Sequence, residues 1–200
     1  MAINAEQVKK LREKTGAGMM DCKKALIHTE GDLEKASDYL RSKGIQAASS
    51  KLGRKALNGI ITSYIHLNDR VGVLLEINCE TDFVAKTREF KELAKNITLQ
   101  IAAANPRYVS RADVPQDVIE KEKEIYRNQL TDSKKPEKVI DNIVEGKLNK
   151  FFKEICLVEQ DYIRNPEITV QQLILETISK LKENIQVKRF VRYQLGEDIL

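Results

Sequence analysis

The sequence predicts an α+β chain: a three-helix bundle in residues 1–45, a linker over 46–55, and a core domain over 56–200 in which a small antiparallel sheet packs with helices. Three observations predict it. Apolar residues recur at helical spacing through the first forty-five positions. From residue 58 the period drops to two, and the same alternation returns near the C-terminus. Between those stretches lie long segments of helical period, opened or closed by proline.

Each element has its own signal. Asn4 can cap the first helix, with Gln7 placed to bond back and Ile3 to staple onto Val8. Val8 and Leu11 share the buried face, and Gly16-Ala17-Gly18 stops the helix. The second helix carries Met19, Cys22, Ala25 and Leu26 on one stripe. Gly31-Asp32 breaks and recaps the chain. Leu33, Ala36, Tyr39 and Leu40 form the third stripe, which Gly44 is expected to end. Residues 46–55 contain Ala-Ala-Ser-Ser and scattered positive charge without an apolar period, the pattern of an exposed linker. A hairpin follows: residues 58–67, a turn at Asn68-Asp69-Arg70, then Val71, Val73, Leu75, Ile77 and Cys79 pointing one way. One long helix is expected over 82–104, with Phe90, Leu93, Ile97 and Ile101 inward and Asn105-Pro106 closing it. Val114-Pro115 opens a charged helix. Pro136 opens another through Ile140, Ile143, Val144, Leu148, Phe151 and Ile155, and a further helix lies near 173–181. The last strand sets Val187, Val191, Tyr193 and Leu195 against Phe190, and Gly196 ends it.

Composition narrows the function. The 200 residues are 42% hydrophobic and 32% charged, with no apolar run of membrane-spanning length. Met1-Ala2-Ile3-Asn4-Ala5-Glu6 lacks a basic-then-apolar leader, so a soluble cytoplasmic protein, or a plastid stromal one if organelle-encoded, is expected. Cys22, Cys79 and Cys156 are far apart, and there are two histidines, so neither a metal site nor disulfides are expected. The net charge of +4 is mixed along the chain, and only 51–55 and 188–192 are locally basic, which argues against direct nucleic-acid binding.

Few constellations suggest chemistry. No glycine-rich phosphate loop is present, so the chain is not expected to bind nucleotide or any other cofactor itself. Cys79 and His66 could be imagined as nucleophile and base, but Cys79 continues an apolar strand face and His66 lies on the other face of its own strand. The carboxylates of Glu120, Glu122 and Glu124 lie on a solvated helix. Asn78-Cys79-Glu80-Thr81-Asp82-Phe83-Val84-Ala85 is a strand-to-helix junction where Thr81 or Asp82 can cap the helix. Phe83 is then either a first-turn core residue, seven positions before Phe90, or an exposed aromatic wedge. Met20, off its helix's stripe, is either incidental or an adaptable partner contact.

Residues 11–26, from Leu11-Arg12 through Gly16-Ala17-Gly18-Met19-Met20-Asp21-Cys22 to Leu26, resemble the N-terminal signature of the elongation factor Ts family. So do residues 76–86 around Thr81-Asp82-Phe83-Val84, residues 145–154, and Lys188-Arg189-Phe190-Val191-Arg192-Tyr193. The resemblance covers essentially the whole chain in order. It implies a ubiquitin-associated-like (UBA-like) N-terminal module, a core or dimerisation domain, and guanine-nucleotide exchange on elongation factor Tu in protein biosynthesis, without enzymatic chemistry. It also implies that Arg12, Met19 and Met20 hold the partner's nucleotide domain, while Thr81, Asp82, Phe83 and Val84 dislodge its Mg²⁺. Long family members carry two core modules and a helical insertion, whereas this chain has room for one module. A sheet of about three strands, with Ile60, Tyr64, Leu74 and Phe190 on its second face, then leads us to expect a homodimer through the core domain, binding two copies of elongation factor Tu.

Overall fold

The computed structural model describes residues 3–66, 68–130 and 136–197. It is a mixed fold of helices and small antiparallel sheets, opened by three helices. The chain forms two compact units. One comprises residues up to 59 with 78–91 and 172–186; the other comprises 60–77, 92–171 and 187 onward.

In the first unit, α1 (Ala5–Thr15), α2 (Met19–His28) and α3 (Leu33–Ser49) close around Val8, Leu11, Cys22, Ala25, Leu26 and Ala36. The capping box at the start of α1 is formed. Gln7 N donates to Asn4 Oδ1 at 2.8 Å and Asn4 N donates to Gln7 Oε1 at 3.1 Å. Gly16 ends α1 in the left-handed region, φ 69°, and its N–H reaches Arg12 O at 2.8 Å. Two expectations are corrected here. Met19 does not join the buried stripe but is 51% exposed; it is the first residue of α2, where side chains lean back toward the N-terminus, off the end of the helix. Gly44 does not end α3, which continues to Ser49 with Ala48 buried, so the segment expected as linker begins as helix. The glycine is there for packing instead: a Cβ at residue 44 would overlap Ser179 Oγ of α8 (Val170–Leu181).

The expected long helix over 82–104 is two, α4 (Asp82–Lys86) and α5 (Arg88–Ala104). Thr87 between them is extended, φ −65° and ψ 152°. Its hydroxyl donates to Val84 O at 2.7 Å and accepts from Phe90 N at 3.3 Å, ending one helix and capping the next. The inward residues of α5 are as expected, with Phe90, Leu93, Ile97 and Ile101 all buried.

The second unit holds most of a sheet with order β1-β2-β5, formed by β1 (Asn58–Ile65), β2 (Val71–Cys79) and β5 (Ile185–Gln194). Val73, Leu75 and Ile77 are buried, as the alternation requires. The other face of the sheet differs from expectation. Ile60, Tyr64 and Phe190 are half-buried; Ile61, Ile65, Leu74, Val191 and Tyr193 are exposed there. Arg189, on the same face, donates to Glu76 Oε2 at 2.7 Å. In β5 the less exposed set passes from odd numbers, buried Ile185 and Val187, to even ones, half-buried Phe190 and Arg192, so Val187 does not share a face with Val191 and Tyr193.

Helices α6 (Gln116–Asn128) and α7 (Glu137–Ile155) follow Pro115 and Pro136 and pack around Leu148, Phe152, Ile155 and Cys156. The Arg111 guanidinium forks onto the Glu159 carboxylate, donates to Asn149 Oδ1 at 2.9 Å and stacks 4.6 Å from the Phe152 ring centre. A short hairpin of β3 (Asp161–Tyr162) and β4 (Asn165–Thr169) is held by buried Gln100, which accepts from Ile163 N at 2.9 Å and donates to Gln160 Oε1 at 3.1 Å.

Candidate functional site

The four residues Thr81, Asp82, Phe83 and Val84 form one corner where β2 ends and α4 begins. Thr81 caps α4: its Oγ1 accepts from Val84 N at 3.4 Å. Asp82 and Phe83 are thereby fixed at the first two helical positions, pointing off the start of a short helix. Phe83 is 78% exposed, which rules out the core reading of its ring. Seven residues on, Phe90 is 0% exposed. Heptad spacing failed to predict a shared face because Thr87 breaks the helix between them.

The corner is charged but locally balanced. Lys86 Nζ donates to Asp82 Oδ2 at 2.6 Å and lies 6.0 Å from the Phe83 ring centre. That hydrogen bond holds the Asp82 carboxyl below its ordinary range, so the group is ionised at neutral pH. Behind the corner, Cys79 Sγ donates to Thr81 O at 3.1 Å, and burial, followed by the nearby Glu183 charge, pushes the thiol up to about 11. Cys79 is fully buried, so it has neither the exposure nor the acidity of a nucleophile. His66 Nδ1 is paired with the Tyr64 hydroxyl at 2.9 Å. Cys156 is likewise buried and pushed up to about 11.

Arg12, Met19 and Met20 flank the Gly16–Gly18 turn, Arg12 on the last turn of α1 and the methionines on the first turn of α2. Met20 is 61% exposed, and Arg12 is also exposed. Two large apolar side chains, Met19 and Met20, are thus held in water at a helix start. This group and the corner belong to the same unit, but no hydrogen bond or ion pair among the described residues joins them.

Sequence reasoning missed the residues that hold the corner in place. Thr81 N donates to Glu183 Oε2 at 2.9 Å and Thr81 Oγ1 donates to Glu183 Oε1 at 2.7 Å, across 102 positions of sequence. Asn184 N donates to Glu80 Oε1 at 2.6 Å. Nothing local in Lys182-Glu183-Asn184 announces these contacts. Among the described residues there is no group of three or more His, Cys, Asp or Glu side chains that could hold a metal ion, and no helix long and apolar enough to cross a membrane.

Comparison with known proteins agrees with the resemblance in the motifs. A family model described as elongation factor TS matches residues 45–197. The chain is 58% identical over 197 residues to elongation factor Ts of Heliobacterium modesticaldum, covering 98% of this chain and 92% of that protein. It is 60% identical over 197 residues to elongation factor Ts of Caldanaerobacter subterraneus subsp. tengcongensis, covering 98% of each. It is 59% identical over 197 residues to elongation factor Ts of Thermodesulfovibrio yellowstonii, again covering 98% of each. These matches extend over nearly the full length, and the chain belongs to the elongation factor Ts family.

Proposed function

We propose that this chain, by family a nucleotide-exchange factor of translation elongation, binds elongation factor Tu carrying GDP and accelerates release of the GDP. The observation that carries the reading is Phe83, a large ring 78% exposed on a corner whose backbone is tied down. Aromatic side chains are enriched at the cores of protein interfaces, and a ring on a rigid mount is suited to fill a pocket there.

Two contacts account for exchange. Arg12, Met19 and Met20 hold the nucleotide domain of the partner. The corner, with Thr81 and Val84 as its frame and Asp82 and Phe83 as its tip, enters near the nucleotide and displaces the arrangement that retains Mg²⁺. That ion belongs to the partner; it neutralises phosphate charge, and without it the diphosphate is poorly held. No bond is made or broken, so the chain is not an enzyme and needs no cofactor of its own. Its partner is a protein: the basic run near the C-terminus is already engaged, Arg189 with Glu76 and Arg192 with Glu197 at 2.9 Å, which leaves little charge for a nucleic acid. The site of action is then the compartment of elongation factor Tu, bacterial cytoplasm or plastid stroma.

Residues 1–45 serve as a UBA-like docking module, 46–55 as its connection, and 56–200 as the core. The outer face of the sheet, with Ile61, Ile65, Leu74, Val191 and Tyr193 in water, supports a homodimer through the core.

Linkage supplies the test. If this chain weakens GDP binding by some factor, GDP must weaken this chain's binding by the same factor. Calorimetric titration into nucleotide-free elongation factor Tu should show tight binding, and saturating GDP should weaken it. Equal affinity with and without GDP would refute exchange.

A further inference from the structure

The corner that carries Phe83 does not hold itself. Thr81 makes five hydrogen bonds that decide where α4 points. Its N–H and hydroxyl both donate to one carboxylate, that of Glu183, at 2.9 and 2.7 Å. Its carbonyl accepts from Cys79 Sγ at 3.1 Å and from Ala85 N at 3.3 Å. Because the hydroxyl proton is committed to Glu183, the lone pairs of Oγ1 face Val84 N, 3.4 Å away, and the cap closes. The carboxylate therefore sets both the backbone direction at Thr81 and the rotamer that starts α4.

The adjoining residues repeat the tie in the opposite sense. Asn184 N donates to Glu80 Oε1 at 2.6 Å, Asn184 Nδ2 to Arg54 O at 2.7 Å, and Asn58 Nδ2 to Glu80 O at 2.7 Å. Asn184 is 1% exposed. The segment that supplies Glu183 is itself shaped for this. Just past the end of α8, Lys182 takes φ 63°, a conformation uncommon for any residue but glycine, and Lys182 N closes onto Ile178 O at 2.8 Å. That left-handed residue turns the chain so that Glu183 and Asn184 meet Glu80 and Thr81 instead of continuing the helix.

We propose that Glu183 is the positioning residue of the exchange wedge: its carboxylate, by accepting from both the amide and the hydroxyl of Thr81, fixes the start of α4 and so the direction of Asp82 and Phe83. The assignment rests on the exchange reading given above, but the positioning itself is a property of this chain alone. Glu183 acts through Thr81. A wedge free to swing would still meet its partner, yet would rarely be aligned when it does, so the loss should fall on the maximal rate.

Two readouts test this separately. The first is fluorine NMR of protein labelled with 4-fluorophenylalanine, which reports all five phenylalanines without any partner. Glu183→Ala should shift and broaden the Phe83 resonance while leaving that of buried Phe90 in place. The second is stopped-flow release of a fluorescent GDP analogue from elongation factor Tu. Glu183→Ala should lower the saturating release rate by roughly tenfold, with the half-saturating concentration changed far less. Glu183→Gln should restore most of the rate, because its Oε1 still accepts from Thr81 N and its amide can donate to a rotated Thr81 hydroxyl. Should Glu183→Ala fail to fold, Glu183→Asp carries the test, since the shorter side chain keeps the charge but cannot reach both donors. An unmoved Phe83 resonance, or an unchanged saturating rate in the folded variant, overturns the proposal. A wild-type protein that fails to accelerate release would overturn the exchange reading instead, and the fluorine result would still decide the role of Glu183.

Discussion

Truncating Phe83 to alanine separates a ring that binds from a ring that packs. A fully buried phenylalanine costs about 3–5 kcal/mol when cut to alanine. Phe83 is 78% exposed, so only about a fifth of that contact can be lost, or ~1 kcal/mol. The Lys86 ammonium 6.0 Å from the ring centre adds about 0.5 kcal/mol or less at so exposed a site. Phe83→Ala should therefore melt within a few degrees of wild type. An aromatic interface anchor costs about 2 kcal/mol or more of binding when truncated, which is roughly a thirtyfold loss in the efficiency of GDP release at concentrations well below saturation. Phe90→Ala is the internal control, since its ring is 0% exposed. It should lose about 3–5 kcal/mol of stability and keep near-normal exchange per folded molecule. The assay is stopped-flow release of a fluorescent GDP analogue from elongation factor Tu, alongside urea melts of both variants. A Phe83→Ala protein that is as unstable as Phe90→Ala, or that exchanges at the wild-type rate, refutes the wedge.

Met20→Ala should weaken binding to elongation factor Tu several-fold in calorimetry while barely moving the melting temperature, since Met20 is 61% exposed; a lower melting point with unchanged affinity would contradict it. The three cysteines are all buried, so Ellman's reagent at pH 8 should react slowly with native protein and fully with the protein in denaturant. Cys79 and Cys156 are pushed up to about 11, above the ordinary 9.0. A group raised in the folded state favours folding below its unfolded value, so urea melts should show stability falling as pH rises from about 9 towards 11. Tyr193→Asp and Leu74→Asp place charge on the outer sheet face; in sedimentation equilibrium each should convert a dimer into the 22.8 kDa chain, whereas a wild-type monomer at micromolar concentration refutes the dimer.

What was legible in the sequence was local. Asn4 and Gln7 announced a capping box because both halves of it lie within one turn. Val73, Leu75 and Ile77 announced a buried strand face because the strand period is strict. Periodicity places residues on a common face but does not say whether the face is covered. Ile60 and Ile61 have equal hydropathy, and only the tertiary structure shows that the first is half-buried and the second in water. Gly44 was misread because a glycine that ends a helix and one that admits a neighbour look alike in sequence; Ser179 distinguishes them. Thr87 was passed over since a threonine cap needs no glycine or proline to break a helix. At the candidate site, the motif residues were legible, but only the structure shows that the Phe83 ring lies in water and not in the core. Glu183 could not have been found, because its meaning lies in a contact 102 residues away.

This chain is proposed to speed the departure of GDP from elongation factor Tu through the Asp82–Phe83 corner. The most direct measurement is the release rate of a fluorescent GDP analogue from elongation factor Tu, chased with excess GDP, as this chain is titrated in at fixed Mg²⁺. The account predicts a rate that rises steeply, saturates with concentration, and gains less when EDTA has already removed the metal, since metal displacement is then no longer needed. A rate unchanged across the titration would contradict it.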